Sequence, residues 1–303
     1  MSNARPIVSP ERHGARRFFV DVTVARRITV TPQNWRLRIR SPFWRIYGVD
    51  GEGAELRWAG GGLRLEPERL CLVPAWLDFE TETRRELRHD YMHFYFNGPP
   101  VAWVRDSFAG PLVVARRPVV EALAATWREA LAAPPAESWL ARQGWGAALA
   151  QAAVAVAIED LPRARRASLQ GWLQSDAAVR AATERILRDP ARPPRNEELA
   201  AACGLGVDQL ARRFKSATGL TPTQYRLESA VEEAARRLAE TEEKLEEIAE
   251  ATGFTDRFYL SRVFKARLGF TPAAYRRAHR REGGVSAAWE PSEATHAIKD
   301  DTG

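Results

Sequence analysis

One block of this chain is written twice. Phe214-Lys215-Ser216-Ala217-Thr218-Gly219-Leu220-Thr221-Pro222-Thr223-Gln224-Tyr225-Arg226 returns as Phe264-Lys265-Ala266-Arg267-Leu268-Gly269-Phe270-Thr271-Pro272-Ala273-Ala274-Tyr275-Arg276, at an offset of 50 residues throughout. Ahead of each copy stand a short helical pattern, a glycine turn and a second helical pattern. These are 198–205 then 207–214, and 247–254 then 256–264. Helix, short turn with glycine, helix is the helix-turn-helix outline, here used twice. Leu199 and Leu205, like Ile248 and Phe254, are the apolar positions that set the crossing of each helix pair. Gly204 and Gly253 stand where the first helix of each unit must end in a left-handed residue. In the second helices Leu210 and Phe214, and Leu260 and Phe264, are four apart and pack inward together. Gln209, Arg212 and Arg213 are left outside in one unit, and Arg257, Phe258, Ser261 and Arg262 in the other.

Charge is segregated along the same stretch. Residues 209–226 hold four Lys or Arg and no acid, and residues 257–281 hold eight and no acid. Between them, residues 228–250 carry nine glutamates against Arg236, Arg237 and Lys244. Two basic faces joined by a helix with an acidic side suit a polyanionic partner.

Residues 197–281 resemble the DNA-binding domain of the AraC/XylS family of bacterial transcription regulators. The residues that carry the resemblance are Ile248-Ala249, Gly253-Phe254, Tyr259, Ser261-Arg262-Val263-Phe264-Lys265, Gly269-Phe270-Thr271-Pro272 and Tyr275-Arg276. The resemblance implies two helix-turn-helix units bridged by one long helix, with both second helices entering successive major grooves. It places Asp208, Gln209 and Arg212, and then Arg257, Phe258, Ser261 and Arg262, where the family touches bases. Arg213 and Lys215 fall to backbone phosphate or structure, Lys265 joins the DNA-binding set, and Arg276 and Arg277 are expected to hold DNA of any sequence alike. Arg212 and Arg262 suit bidentate pairing with guanine, worth ~1–3 kcal/mol of discrimination. Gln209 suits adenine and Phe258 a thymine methyl, whereas Asp208 repels phosphate and at best accepts from cytosine. The family's arginine five residues after the first Tyr is here Ala230. That departure puts the first unit's grip on DNA in question.

The chain of 303 residues suggests about two domains, and its formal net charge of +6 is compatible with nucleic acid. Residues 17–96 read as short strands at 18–28, 35–39, 43–49, 54–59, 63–65, 70–73, 77–81 and 87–96, punctuated by Gly and Pro. That pattern indicates a small barrel or jelly roll. It resembles the cupin-like effector domain of one branch of the same family through Pro42-Phe43-Trp44-Arg45-Ile46-Tyr47, Leu72-Val73-Pro74 and 89–94. The expected fold is therefore mixed. A cupin-like β barrel with helices comes first, then an all-α domain with two helix-turn-helix units. The expected boundaries are a flexible start at 1–15, the sensor barrel at 16–117, helices for packing or dimerisation at 118–170, the DNA-binding domain at 171–282 and a disordered tail at 283–303.

None of the five histidines forms the His-x-His pair that a metal-binding cupin needs,, so no metal, cofactor or catalytic residue is expected, and the chain reads as no enzyme. His89 and His93 share one strand face with Tyr91 and Tyr95. With Trp44 and Trp58 they form the candidate effector pocket, against the plainer reading of core packing and strand-to-strand hydrogen bonds. Cys71 and Cys203 read as buried thiols of a reducing cytosol. There is no run long and apolar enough for a membrane span. The expected partners are double-stranded DNA, an unidentified small-molecule effector, a second copy of the chain and RNA polymerase. The expected setting is the bacterial cytoplasm, at the nucleoid. The competing function is a DNA-binding regulator whose N-terminal part binds no ligand and serves only to dimerise.

Overall fold

The structure is a computed structural model that describes residues 18–99, 101–173 and 177–277. The expected flexible start and disordered tail lie outside the described residues. The strands are β1 (Phe19–Val30), β2 (Leu37–Ile39), β3 (Trp44–Val49), β4 (Ala54–Trp58), β5 (Gly61–Arg64), β6 (Cys71–Val73), β7 (Phe79–Thr83), β8 (Leu87–Asn97) and β9 (Leu112–Val113). All pair antiparallel, in two sheets ordered β1-β8-β3-β6-β9 and β2-β7-β4-β5.

These sheets do not close on one another, which overturns the expected jelly-roll barrel and, with it, the cupin-like assignment. Closure needs a ladder continuous around the circumference. Here β1 and β9 end one sheet, and β2 and β5 end the other. The terminal strands β9, β2 and β5 have two, three and four residues, too few to extend the ladder. At the other edge, helices α2 (Pro118–Ala132) and α3 (Pro135–Glu159) pack on β1.

Side-chain alternation decides what each face meets. Along β8, Leu87 and Tyr91 join the core between the sheets, whereas Met92, Phe94 and Phe96 join the core under the helices. The five-stranded sheet is thus covered on both faces, and all six residues of β3 are buried. Arg27 on β1 makes a two-pronged ion pair with Asp90 on β8 at 2.6 and 2.9 Å, and Arg128 on α2 lies 3.8 Å from the same carboxylate. On α2, Trp127 and Leu131 face inward as their spacing predicts. Gly146 on α3 lets the two helices approach closely, since a Cβ there would lie 3.3 Å from the Trp127 indole nitrogen.

The remaining helices are α1 (Val101–Ser107), α4 (Arg163–Leu173), α5 (Ala177–Arg188), α6 (Asn196–Ala202), α7 (Val207–Thr218), α8 (Pro222–Glu240), α9 (Leu245–Ala251) and α10 (Arg257–Leu268), with a last helical segment at 272–277. Val179, Ala182 and Ile186 of α5 face inward. Cys71 is buried, whereas Cys203 is only half-buried.

Gly253 shows how tightly the second unit seats. Its φ is +75°, and an added Cβ would stand 2.5 Å from the Pro190 carbonyl oxygen. Gly204, its counterpart at φ +64°, has open space at the same point. Both glycines relieve left-handed strain of about 1–3 kcal/mol, but only Gly253 also avoids a collision. Urea unfolding should show Gly253→Ala losing clearly more stability than Gly204→Ala. Equal losses would mean that the loop before α6 yields to the methyl group.

Candidate nucleic-acid interface

The two units are built alike, residue for residue. Before α6, the Arg195 backbone N–H donates to Glu198 at 2.9 Å, and before α9 that of Lys244 donates to Glu247 at 2.6 Å. The second helices α7 and α10 end on Gly219 and Gly269, at φ of +78° and +80°. Leu210, Phe214, Leu260 and Phe264 are fully buried. Tyr225 meets Phe214 edge-on at 5.4 Å between ring centroids, and Tyr275 meets Phe264 likewise at 5.2 Å. Arg226 donates to the Pro194 carbonyl, and Arg276 donates to the Glu243 carbonyl at 2.5 Å. Each repeated Tyr-Arg pair therefore closes its own unit. The tyrosine seals the core, and the arginine holds the chain that enters the first helix. The recurrence was legible in the sequence, but this internal role was not.

Outside these cores lie the sequence-predicted contact residues. Asp208, Gln209, Arg212, Arg213 and Lys215 are exposed on α7. Arg257, Phe258, Arg262 and Lys265 are exposed on α10, with Ser261 half-buried and Arg277 exposed beyond it. Phe258 is 70% exposed, an unusual position for a phenyl ring unless something covers it,. Arg257 pairs with Glu246 and lies over the Phe258 ring at 4.7 Å, while Arg262 lies over Tyr259 at 5.4 Å. The two helices start differently. Asp256 caps α10 by accepting from the Phe258 and Tyr259 N–H groups, both at 2.8 Å. Those bonds, with that of Tyr259 the largest cause, hold its carboxyl below the usual range. The residue before α7 is Gly206, which has no side chain to cap with. Asp208 in the first turn complements the helix dipole instead. Arg276 is half-buried and occupied by Glu243, which distinguishes it from its neighbour Arg277.

The four candidate effector residues do not come together. Trp44 is buried under the helices, 5.1 Å from Phe108 and 6.4 Å from Phe94 between ring centroids. Trp58 sits at the end of β4, packed over Gly60 and Gly110. Only His89 and His93 share a space, a cavity of about 30 Å³ between the sheets that Trp35, Tyr47 and Tyr91 also line. That is far below the ~300–1,000 Å³ of a typical small-molecule site. His89 bonds the Gly48 carbonyl through Nδ1 at 3.1 Å, and burial lowers its pKa to about 4. Tyr95, whose ring meets the same Phe43 ring as His93 does, donates to Glu240 on α8 at 2.9 Å. A far larger cleft, about 620 Å³, lies between the β1 and β8 ends and α8. Ala230, where the family carries arginine, lines it. So does Glu232, whose carboxyl burial raises to about 8.

Residues 199–278 match the protein family described as a helix-turn-helix domain. The MmsAB operon regulatory protein of Pseudomonas aeruginosa is 37% identical over 90 residues, covering 29% of this chain and 29% of that protein. A putative AraC-like transcription regulator of Streptomyces antibioticus is 36% identical over 112 residues, covering 36% of this chain and 37% of that protein. Among solved structures, an AraC-type transcriptional regulator from Chromobacterium violaceum is 25% identical, with 34% of this chain and 91% of that one covered and a TM-score of 0.32. The chain spans about a third of the length of the curated relatives it matches. The family match assigns the C-terminal part to the helix-turn-helix domains, and the AraC-like regulator among the curated relatives agrees with the resemblance read from the sequence. Among the described residues no helix is long and apolar enough to cross a membrane.

Two expectations follow from this geometry. Arg276→Ala should cost about 1.5–3 kcal/mol, the range for a hydrogen bond from a charged donor, and Arg277→Ala should stay within about 0.5 kcal/mol of wild type. Chemical denaturation of both variants checks the pair. His89 is a base whose pKa is depressed on folding, so the unfolded state binds more protons below its ordinary pKa of about 6.5. Stability should be fully present above that value and fall by up to ~3 kcal/mol as pH drops towards 4,. His89→Phe should flatten that part of the profile; an unchanged slope would exclude His89 as its source.

Proposed function

We propose that this chain is a sequence-specific, DNA-binding regulator of transcription of the AraC/XylS type that reads DNA with α7 and α10. One observation carries the reading. Two matched units present basic outer faces and are joined by the single helix α8, 19 residues long. At about 1.5 Å per residue that helix spans ~28 Å, close to the ~34 Å of one duplex turn, so both second helices suit successive major grooves on one face. Gln209 and Arg212 from α7, and Phe258, Ser261 and Arg262 from α10, are the base-reading candidates. Asp208 and Arg257 stand beside them. Arg213, Lys215, Lys265 and Arg277 hold phosphate. The DNA-binding domain is taken as 171–282 and the β-rich part as 16–117.

For the N-terminal part, the small inter-sheet cavity favours self-association over sensing within the sheets. The helices at 118–170 supply a surface for it, with Trp139 58%, Leu140 76% and Trp145 45% exposed on α3. A second copy of the chain is the partner proposed there.

Selection of genomic fragments with the full chain should recover two half-elements about one helical turn, ~10 bp, apart. On such a site Arg262→Ala should relax preference at one base position by ~1–3 kcal/mol in competition binding. A loss uniform across all base-substituted sites would remove Arg262 from the base-reading set.

A further inference from the structure

We propose that helix α4, outside the duplicated units, is part of the DNA-binding surface, with Arg165 taking a backbone phosphate beside the first unit. This rests on the DNA-binding reading above and adds to it a contact that neither the repeat nor the relatives assign.

Helix α4 packs against α7, and with α1 the two enclose an open cleft of about 880 Å³. Arg212, Arg213 and Ser216 line it from α7, and Arg165 and Ser168 from α4. The sequence dictates which face of α4 looks this way. Arg165, Ser168 and Trp172 follow at spacings of three and four and so share one side of the helix. Trp172 is 3% exposed and anchors that side, leaving Arg165 and Ser168 exposed at the cleft. Trp103 on α1 donates from its indole nitrogen to the Arg165 carbonyl at 3.2 Å, which fixes the first turn of α4 in place.

The charges on the two walls share one sign. Arg165, Arg212 and Arg213 face the cleft from opposite walls, with Asp106 the one acid among its described lining residues. Asp106 is 69% exposed and 4.0 Å from Arg165, a pairing that solvent screens to little effect. Helix α4 itself carries Arg163, Arg165 and Arg166 and no acid. An element built to shield α7 from DNA would carry carboxylates on the face it turns to α7. Helix α4 presents the same sign as α7, so the two walls repel until a polyanion lies between or across them. Gly171 keeps the approach open, since a Cβ added there would meet nothing within 4 Å. A phosphate contact from α4 would also strengthen the first unit, where Ala230 departs from the family pattern.

The test is the salt dependence of binding by the full chain, on a duplex selected by wild type and on a scrambled duplex. Each phosphate contact contributes about 0.9 to the slope of log K against log salt. Arg165→Gln should lower the slope by about that amount and weaken both duplexes by the same factor, leaving their ratio unchanged. Arg165→Lys, which keeps the charge, should restore the slope, and that rescue separates charge from any effect on folding. An unchanged slope for Arg165→Gln would place α4 outside the interface. Tighter binding by Arg165→Gln would make α4 a shield over α7, also overturning the proposal. In both cases the DNA-binding reading survives; if wild type binds neither duplex, that reading fails as well.

Discussion

The carboxylate of Glu228 ties helix α1, beside the β-rich part, to the second of the duplicated units. Glu228 on α8 is 8% exposed and sits between Arg267 of α10 at 2.9 Å and Arg105 of α1 at 3.4 Å. Nearby, Arg40 donates to the Leu268 carbonyl at the end of α10, at 3.0 Å. Without the acid, the two arginines would face each other across a poorly hydrated seam, a loss more severe than that of an exposed pair. The hydrophobic core has the same continuity, running from the sheet through α2 and α3 to the packed faces of α8, α9 and α10. The first unit instead keeps a separate core with α5, made of Val179, Ala182, Ile186, Leu199, Leu210 and Phe214. The duplicated units thus differ in attachment. One is continuous with the rest of the protein, and the other is hung from it by α8 and α4.

The cleft along α8 touches both units and the sheet edge, with residues from β1, α5, α8 and the turn after α9 in its walls. Helix α8 is tied to β8 by Tyr95 on Glu240 and to α1 and α10 by Glu228 on its two arginines.

The local elements were largely legible in the sequence. Every expected strand exists with ends shifted by a few residues, and α2, α3 and α5 lie where their apolar spacing places them. Helix α1 and strand β9 were missed. A seven-residue helix and a two-residue strand are held by what covers them, Trp103, Val104 and Leu112 all joining the core, and not by any local signal. The barrel failed for a different reason. Alternation and turns specify that strands form and which side is apolar, but closure depends on pairing between strands far apart in sequence. The four candidate effector residues are likewise spread over the sheet, with Trp44 in the core under the helices and His89 between the sheets, which no count of aromatics reveals.

The sequence by itself therefore determined the duplicated helix-turn-helix, its buried Leu and Phe pairs and its outward basic residues. Those features repeat at a fixed offset and obey helical spacing, both local properties of the chain. Tertiary structure alone decided that two open sheets stack in place of a barrel and that the space between them is nearly filled. It also decided that Arg276 ties down its own unit and that α4 stands beside α7. Each of these depends on which surfaces meet across long sequence separations, and burial and charge settle that only once the chain is folded.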